Sequence, residues 1–188
     1  MNDPFLAADG VKTETDAMRM SLVGALQRNR TYRHGSPQRT RMEFRDEWAR
    51  LIRDESRLYS HAAQPVSDGE HCLAIERISN GLLPRFAQFL INGRLRFGTS
   101  QKAFNLYLKY IWRLNMDTSP PPPHCPVDGI VLATAGISGS WTKCDSVEQY
   151  MSWINRLRME AKAKSQSLAE WEYQVWLESA LNKRSAAS

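Results

Sequence analysis

The sequence predicts an all-α protein, a compact bundle of six to eight helices. Apolar residues recur at three- and four-residue spacing through most of the chain, the pattern of a helix with one buried face. No alternating apolar–polar run extends beyond a few residues, so no strand stands out. Helix-starting residues (Thr13, Ser36-Pro37, Ser67-Asp68, Ser167) stand directly before the periodic stretches.

Residues 1–12 read as a flexible tail, 13–184 as a single helical domain, and 185–188 as a frayed end. Thr13 or Thr15 caps a first helix carrying Met18, Leu22, Val23 and Leu26. Ser36-Pro37 is a cap and a first-turn proline, opening a helix with Phe44, Trp48, Leu51, Ile52 and Tyr59. Ser67-Asp68 begins the next, with Leu73, Ile75 and Ile78, until Gly81 and Pro84 interrupt it. A further helical piece spans 84–91, and Asn92-Gly93 marks a turn. Residues 94–97 read as a short extended segment.

Thr99 or Ser100 caps a helix over 101–114, with Phe104, Leu108, Ile111 and Leu114 as its apolar stripe. Lys102, Lys109 and Arg113 are expected on the other side, since offsets of seven and eleven residues return to nearly the same helical angle. Ser119 and four prolines stop this helix and stiffen the segment beyond it. A short helix or turn covers 127–135, and 136–139 is a loop. Asp145 or Ser146 caps a helix to about Lys164, and Ser167 caps a last one with Leu168, Trp171, Val175, Trp176 and Leu181.

A chain of 188 residues that is 42% apolar, with six tryptophans, suits one ordered domain. Cys72, Cys125 and Cys144 fit no disulfide framework or zinc ribbon, so reduced thiols in a cytoplasm are expected. No apolar run approaches membrane-spanning length, and Met1-Asn2-Asp3-Pro4 lacks a signal peptide's pattern. His71-Cys72 and His124-Cys125 suggest metal ligands. Adjacent ligands face different ways on a helix, however, and no third or fourth partner is suitably spaced. Neither metal nor cofactor is expected.

Net charge is +5, which favours acidic partners, nucleic acid first. Between Arg77 and Asp117 no acidic residue occurs, while Arg85, Arg94, Arg96, Lys102, Lys109 and Arg113 do. Phosphates bind where cations cluster and where helix N-termini point free amides. Arg94, Arg96, Gly98, Thr99, Ser100, Lys109 and Arg113 are therefore the candidate nucleic-acid contacts. Arg28, Arg30, Arg33, Arg39 and Arg41 form a second, looser run. A solvated basic face is the plainer reading of both.

Two segments carry the candidate chemistry: Phe97-Gly98-Thr99-Ser100-Gln101-Lys102-Ala103, and Pro122-Pro123-His124-Cys125-Pro126-Val127-Asp128. The stretch from Gly98 to about Trp141 resembles the helix-hairpin-helix DNA glycosylases, most closely the archaeal 8-oxoguanine type. Gly98 stands four residues before Lys102, as the family's hairpin glycine stands before its lysine, and Pro126-Val127-Asp128 matches its Pro-Val-Asp. Ser100 replaces the usual second hairpin glycine, and Gly129-Ile130-Val131 replaces the usual polar or basic continuation.

The resemblance implies a helix-hairpin-helix-like element and an enzyme that flips a nucleotide out of duplex DNA. Lys102 would attack the sugar C1′, and Asp128 would stabilise the cationic sugar and shuttle protons. The Schiff base formed could then cleave the backbone by lyase chemistry. His124, Cys125 and Trp141 would line the base pocket. Free lysine has a pKa of about 10.4, so attack at neutral pH needs the amine's proton removed. Asp128 before Gly129-Ile130 also reads simply as a helix cap. The alternative functions are a non-catalytic helical nucleic-acid-binding protein and a helical protein-interaction module. The sequence carries no signal for an oligomeric state.

Overall fold

A computed structural model describes residues 3–27, 29–61 and 65–185. In chain order its helices are α1 (Pro4–Asp9), α2 (Glu14–Leu26), α3 (Gln38–His61), α4 (Asp68–Gly81), α5 (Leu83–Phe86), α6 (Phe97–Leu114), α7 (Gly129–Thr134), α8 (Val147–Ala163) and α9 (Leu168–Ser185). Single 3₁₀ turns cover Ala87–Phe89, Ile91–Gly93 and Trp141–Lys143. The described residues contain no strand, and Tyr32 and Leu90 form an isolated antiparallel bridge. The all-α expectation holds. No helix among the described residues is long and apolar enough to cross a membrane.

Local chemistry explains most helix starts. Thr13 and Asp16 form a reciprocal capping box at α2. Ser67, Ser146 and Ser167 each accept from an amide three residues on, opening α4, α8 and α9. Ser36 does something else: its hydroxyl donates to the carbonyls of Arg33 and Phe89, tying the entry of α3 to a distant turn.

Three expectations are corrected. The supposed tail, residues 1–12, contains α1, capped by Asp3 with proline in its first turn. Phe5 and Val11 are core residues, and Phe5 stacks on Tyr110 with ring centroids 4.7 Å apart. Residues 1–2 and 186–188 lie outside the described residues, and Ser185 closes α9. The piece expected over 84–91 is one turn of α-helix followed by 3₁₀ turns, with Asn92 in the left-handed region at φ 58°.

The third correction matters most. α6 begins at Phe97, four residues before the expected start, so Gly98, Thr99 and Ser100 lie in its first turn. The hairpin implied by the resemblance is not confirmed. No side chain at the helix's own N-cap serves the first amides. Asp145 accepts from Phe97 N, and the Cys144 carbonyl accepts from Gly98 N.

Every residue of α6 from Phe97 to Tyr110 is buried. It is the central rod of the bundle, sheathed by α1, α2, α4 and the 141–143 turn. A helix buried all round is usually apolar all round. This one carries Thr99, Ser100, Gln101, Lys102, Asn105 and Lys109 inside, and each has a partner.

Candidate functional site around Lys102 and Asp128

Lys102 rises from the second turn of α6. Asp128 ends the stiff segment after the prolines and caps α7, its Oδ1 accepting from Ile130 N at 2.9 Å and Val131 N at 3.0 Å. The other carboxylate oxygen, Oδ2, lies 2.8 Å from Lys102 Nζ, an ion pair with side chains only 10% and 25% exposed. Burial pushes the Asp128 carboxyl up. The charge and hydrogen bond of Lys102 and the two α7 amides outweigh that and hold it below its ordinary value.

The approach to Asp128 is clamped by α6. Gln101 donates Nε2 to the Val127 carbonyl at 2.8 Å and accepts from Val127 N at 3.2 Å, bracketing that residue's backbone. Asn105, one turn on, donates to the Cys125 carbonyl at 3.0 Å. Two amides on one helix face thus register residues 125–127 and deliver the aspartate to the lysine. Neither amide stood out in the sequence. The available signal was their spacing, Gln101 and Asn105 lying four apart beside Lys102.

Behind the clamp runs a directed chain of hydrogen bonds. Asn105 Oδ1 only accepts, so His71 Nε2, 2.8 Å away, donates. His71 Nδ1 then accepts from Tyr59, at 2.6 Å. Asn105 Nδ2 donates to Tyr150 Oη at 3.0 Å, and Tyr150 donates onward to His124 Nδ1 at 2.8 Å. His124 Nε2 donates to Asp68 at 3.0 Å, and Arg158 holds that carboxylate with two bonds of 2.6 Å. This order requires both imidazoles neutral. Burial drives His71 well down, and burial takes His124 down to about 4 against the opposing hydrogen bond it donates to Asp68. Asp68 is held far below the ordinary carboxylate range, first by Arg158.

The rings of His71 and His124 approach to 4.1 Å between centroids, but every ring nitrogen is already engaged. No group of three or more His, Cys, Asp or Glu that would hold a metal ion occurs among the described residues. Burial raises the thiols of Cys125 and Cys144, leaving both un-ionised.

Several predicted site residues are placed elsewhere. Lys109 is inside the core, its Nζ 2.6 Å from Glu172 and 4.2 Å from the centre of the Phe5 ring. Arg113 donates to Asp3 at 2.6 Å and lies over the Tyr173 ring. Neither faces solvent as a phosphate contact, because acids from the two ends of the chain neutralise them. Gly98, Thr99 and Ser100 offer no free amides, since Gly98 N, Thr99 N and Ser100 N all bond backbone carbonyls. The Thr99 hydroxyl accepts from Asn29, and that of Ser100 donates to the Ile75 carbonyl. His124 and Cys125, expected to line the base pocket, are fully buried.

Trp141 is partly exposed, and its carbonyl sits against Gly98. Arg94 pairs with Asp145, and Arg96 donates to the Thr142 carbonyl at 3.0 Å. Arg28 lies outside the described residues. A cleft of about 1290 Å³ lies between α3, the C-terminal half of α6, the proline segment and the α8–α9 turn. It is lined by neither Lys102 nor Asp128. Ile111, which does line it, projects from the opposite side of α6 to Lys102.

Comparison with protein-family models, curated proteins and solved structures finds no match to this chain. Its own geometry carries the functional reading.

Proposed function

We propose that the protein is a DNA glycosylase with lyase capability, acting on a damaged or modified base in base excision repair. The observation that carries this reading is the contact between Lys102 Nζ and Asp128 Oδ2 at 2.8 Å, across 26 residues of sequence. A lysine nucleophile needs a nearby acceptor for its proton, and Asp128 stands within reach while α7 fixes its position. In the proposed reaction Lys102 gives a proton to Asp128, and its lone pair bonds to C1′ as the bond from C1′ to the base breaks. The base leaves with that electron pair and takes the proton from Asp128. The ring then opens to a protonated iminium as the proton released from nitrogen ends on O4′. Three unpaired, buried cysteines fit a reducing compartment such as the cytoplasm.

A second reading has a specific observation in its favour. Lys102 is almost wholly buried in its ion pair, and the large cleft lies on the far side of α6. On this reading the pair staples α7 to α6 in a nucleic-acid-binding protein that performs no chemistry.

Borohydride trapping on duplexes with 8-oxoguanine, other modified bases or an abasic site separates the two. The wild-type chain is expected to form a covalent adduct that Lys102→Ala abolishes, while Asp128→Asn loses base release. Absence of both adduct and base release on every duplex, with binding intact, sinks the catalytic reading and leaves the staple.

A further inference from the structure

Two long stretches of the sequence, 17–42 and 77–116, contain no aspartate or glutamate. The fold lays parts of them side by side. Ile91 N donates to the Thr31 carbonyl at 3.0 Å, and Arg33 N donates to the Phe89 carbonyl at 2.9 Å. The Arg33 side chain bonds the Leu90 carbonyl, and Asn29 reaches Thr99 on α6. The looser arginine run is thereby docked onto the basic stretch preceding α6.

The resulting seam exposes Arg30, Arg33, Arg39, Arg85 and Arg94, with Arg41 and Arg96 partly exposed. Arg30, Arg94 and Arg96 line one shallow depression with Asn29 and Thr99. Among the described residues Glu43 pairs with Arg39 and Arg85, Asp145 pairs with Arg94, and Glu47 lies within electrostatic reach of Arg85. Arg30, Arg33, Arg41 and Arg96 have no ion pair among the described residues.

We propose that this arginine seam binds the phosphate backbone of duplex nucleic acid. The inference rests on the nucleic-acid reading above and names its contact surface. Arginine's planar fork matches phosphate oxygens, and these fixed cations are all arginines. A single strand would call for open aromatic faces to stack its bases. Here Arg41 lies over the Tyr32 ring, Phe44 and Phe86 are buried, and Phe89 is only partly exposed. A membrane surface would call for large apolar side chains beside the cations. On this seam Met42 is the exposed one among the described residues.

The test is fluorescence anisotropy of the full chain with a short labelled duplex across a range of salt concentrations. Each phosphate neutralised contributes about 0.9 to the slope of log affinity against log salt. The double variant Arg30→Gln, Arg33→Gln is expected to bind more weakly and lower the slope by about two. Glutamine at 33 keeps a donor for the Leu90 carbonyl, and circular dichroism checks the fold. Arg50→Gln and Arg156→Gln, in exposed intrahelical pairs elsewhere, should leave the slope unchanged.

A well-folded double variant with the wild-type slope overturns the proposal. So does a wild-type chain that binds no duplex at low salt, or that binds only vesicles of anionic phospholipid. The two readings fail separately. Loss of slope with neither borohydride adduct nor base release sinks the glycosylase and keeps the seam, whereas an adduct with an unchanged slope does the reverse.

Discussion

Lys109 is a cation at the centre of a protein. Burial pushes its ammonium down, and Glu172 opposes that with its charge and hydrogen bond. Buried pairs of this kind add little net stability, because desolvation offsets attraction, yet removing one partner strands the other. Glu172→Ala is therefore expected to cost about 3–5 kcal/mol in urea denaturation. Lys109→Met combined with Glu172→Leu should recover most of that loss. A cost under about 1 kcal/mol for the single change would mean that water reaches the lysine. This site was illegible in the sequence for a definite reason. Helical spacing places Lys102, Lys109 and Arg113 on one side, and polarity then suggests an outer side. Their partners Asp128, Glu172 and Asp3 are remote in sequence, so nothing local shows that the side faces inward.

At the scale of elements, the first turn of α6 depends on one missing methyl group. A Cβ on Gly98 would sit 1.8 Å from the Trp141 carbonyl oxygen, a backbone atom that cannot swing aside. The resemblance makes Gly98 a hairpin glycine; its role in the fold is close approach between α6 and the 141–144 turn. Gly98→Ala should lower the melting temperature sharply and detach that turn, seen as faster amide exchange at Cys144. Gly129 is the contrast: a Cβ there meets nothing within 4 Å, at the first position of α7. Gly129→Ala should be neutral or stabilise by about 0.4–1 kcal/mol, by restricting the unfolded chain. Capped helices were legible, since Thr13, Ser67, Ser146 and Ser167 all act as their residue types suggest. α1 was not, because six residues are too few to display a period, although Asp3-Pro4 is itself a cap followed by a first-turn proline.

Across the whole molecule, the buried chain from Tyr59 to Arg158 ties α3, α4, α6, α8 and the 124–125 segment together. Its two imidazoles set the pH response. Both have folded pKa values below their ordinary 6.5, so they contribute stability that is fully present above that value. It is lost as pH falls toward 4, where His124 charges in the folded state. Urea midpoints should be flat from pH 8 to about 7 and decline between about 6.5 and 4. A His124→Gln variant, less stable at neutral pH, should decline less steeply. An equally steep fall would assign the effect to other groups. The sequence shows His71 and His124 each beside a cysteine, which invites a metal reading. That they neighbour each other through Asn105 and Tyr150 is a product of topology alone.

The sheath around α6 also bears on how the chain is made. α1 contributes Phe5 and Asp9, and its cap contributes Asp3, to Tyr110, Lys109 and Arg113. α9 contributes Glu172 and the Tyr173 and Trp176 rings. A ribosome delivers α1 before α6, and α6 before α9. While α9 is still in the exit tunnel, the lysine that must be buried has the Phe5 ring but lacks its counter-charge. α1, α2 and α4 can pack on the central rod before then, but Lys109 waits for a counter-charge more than fifty residues downstream. Closure of the core around Lys109 is expected to be a late step that follows the packing of α1, α2 and α4 on α6.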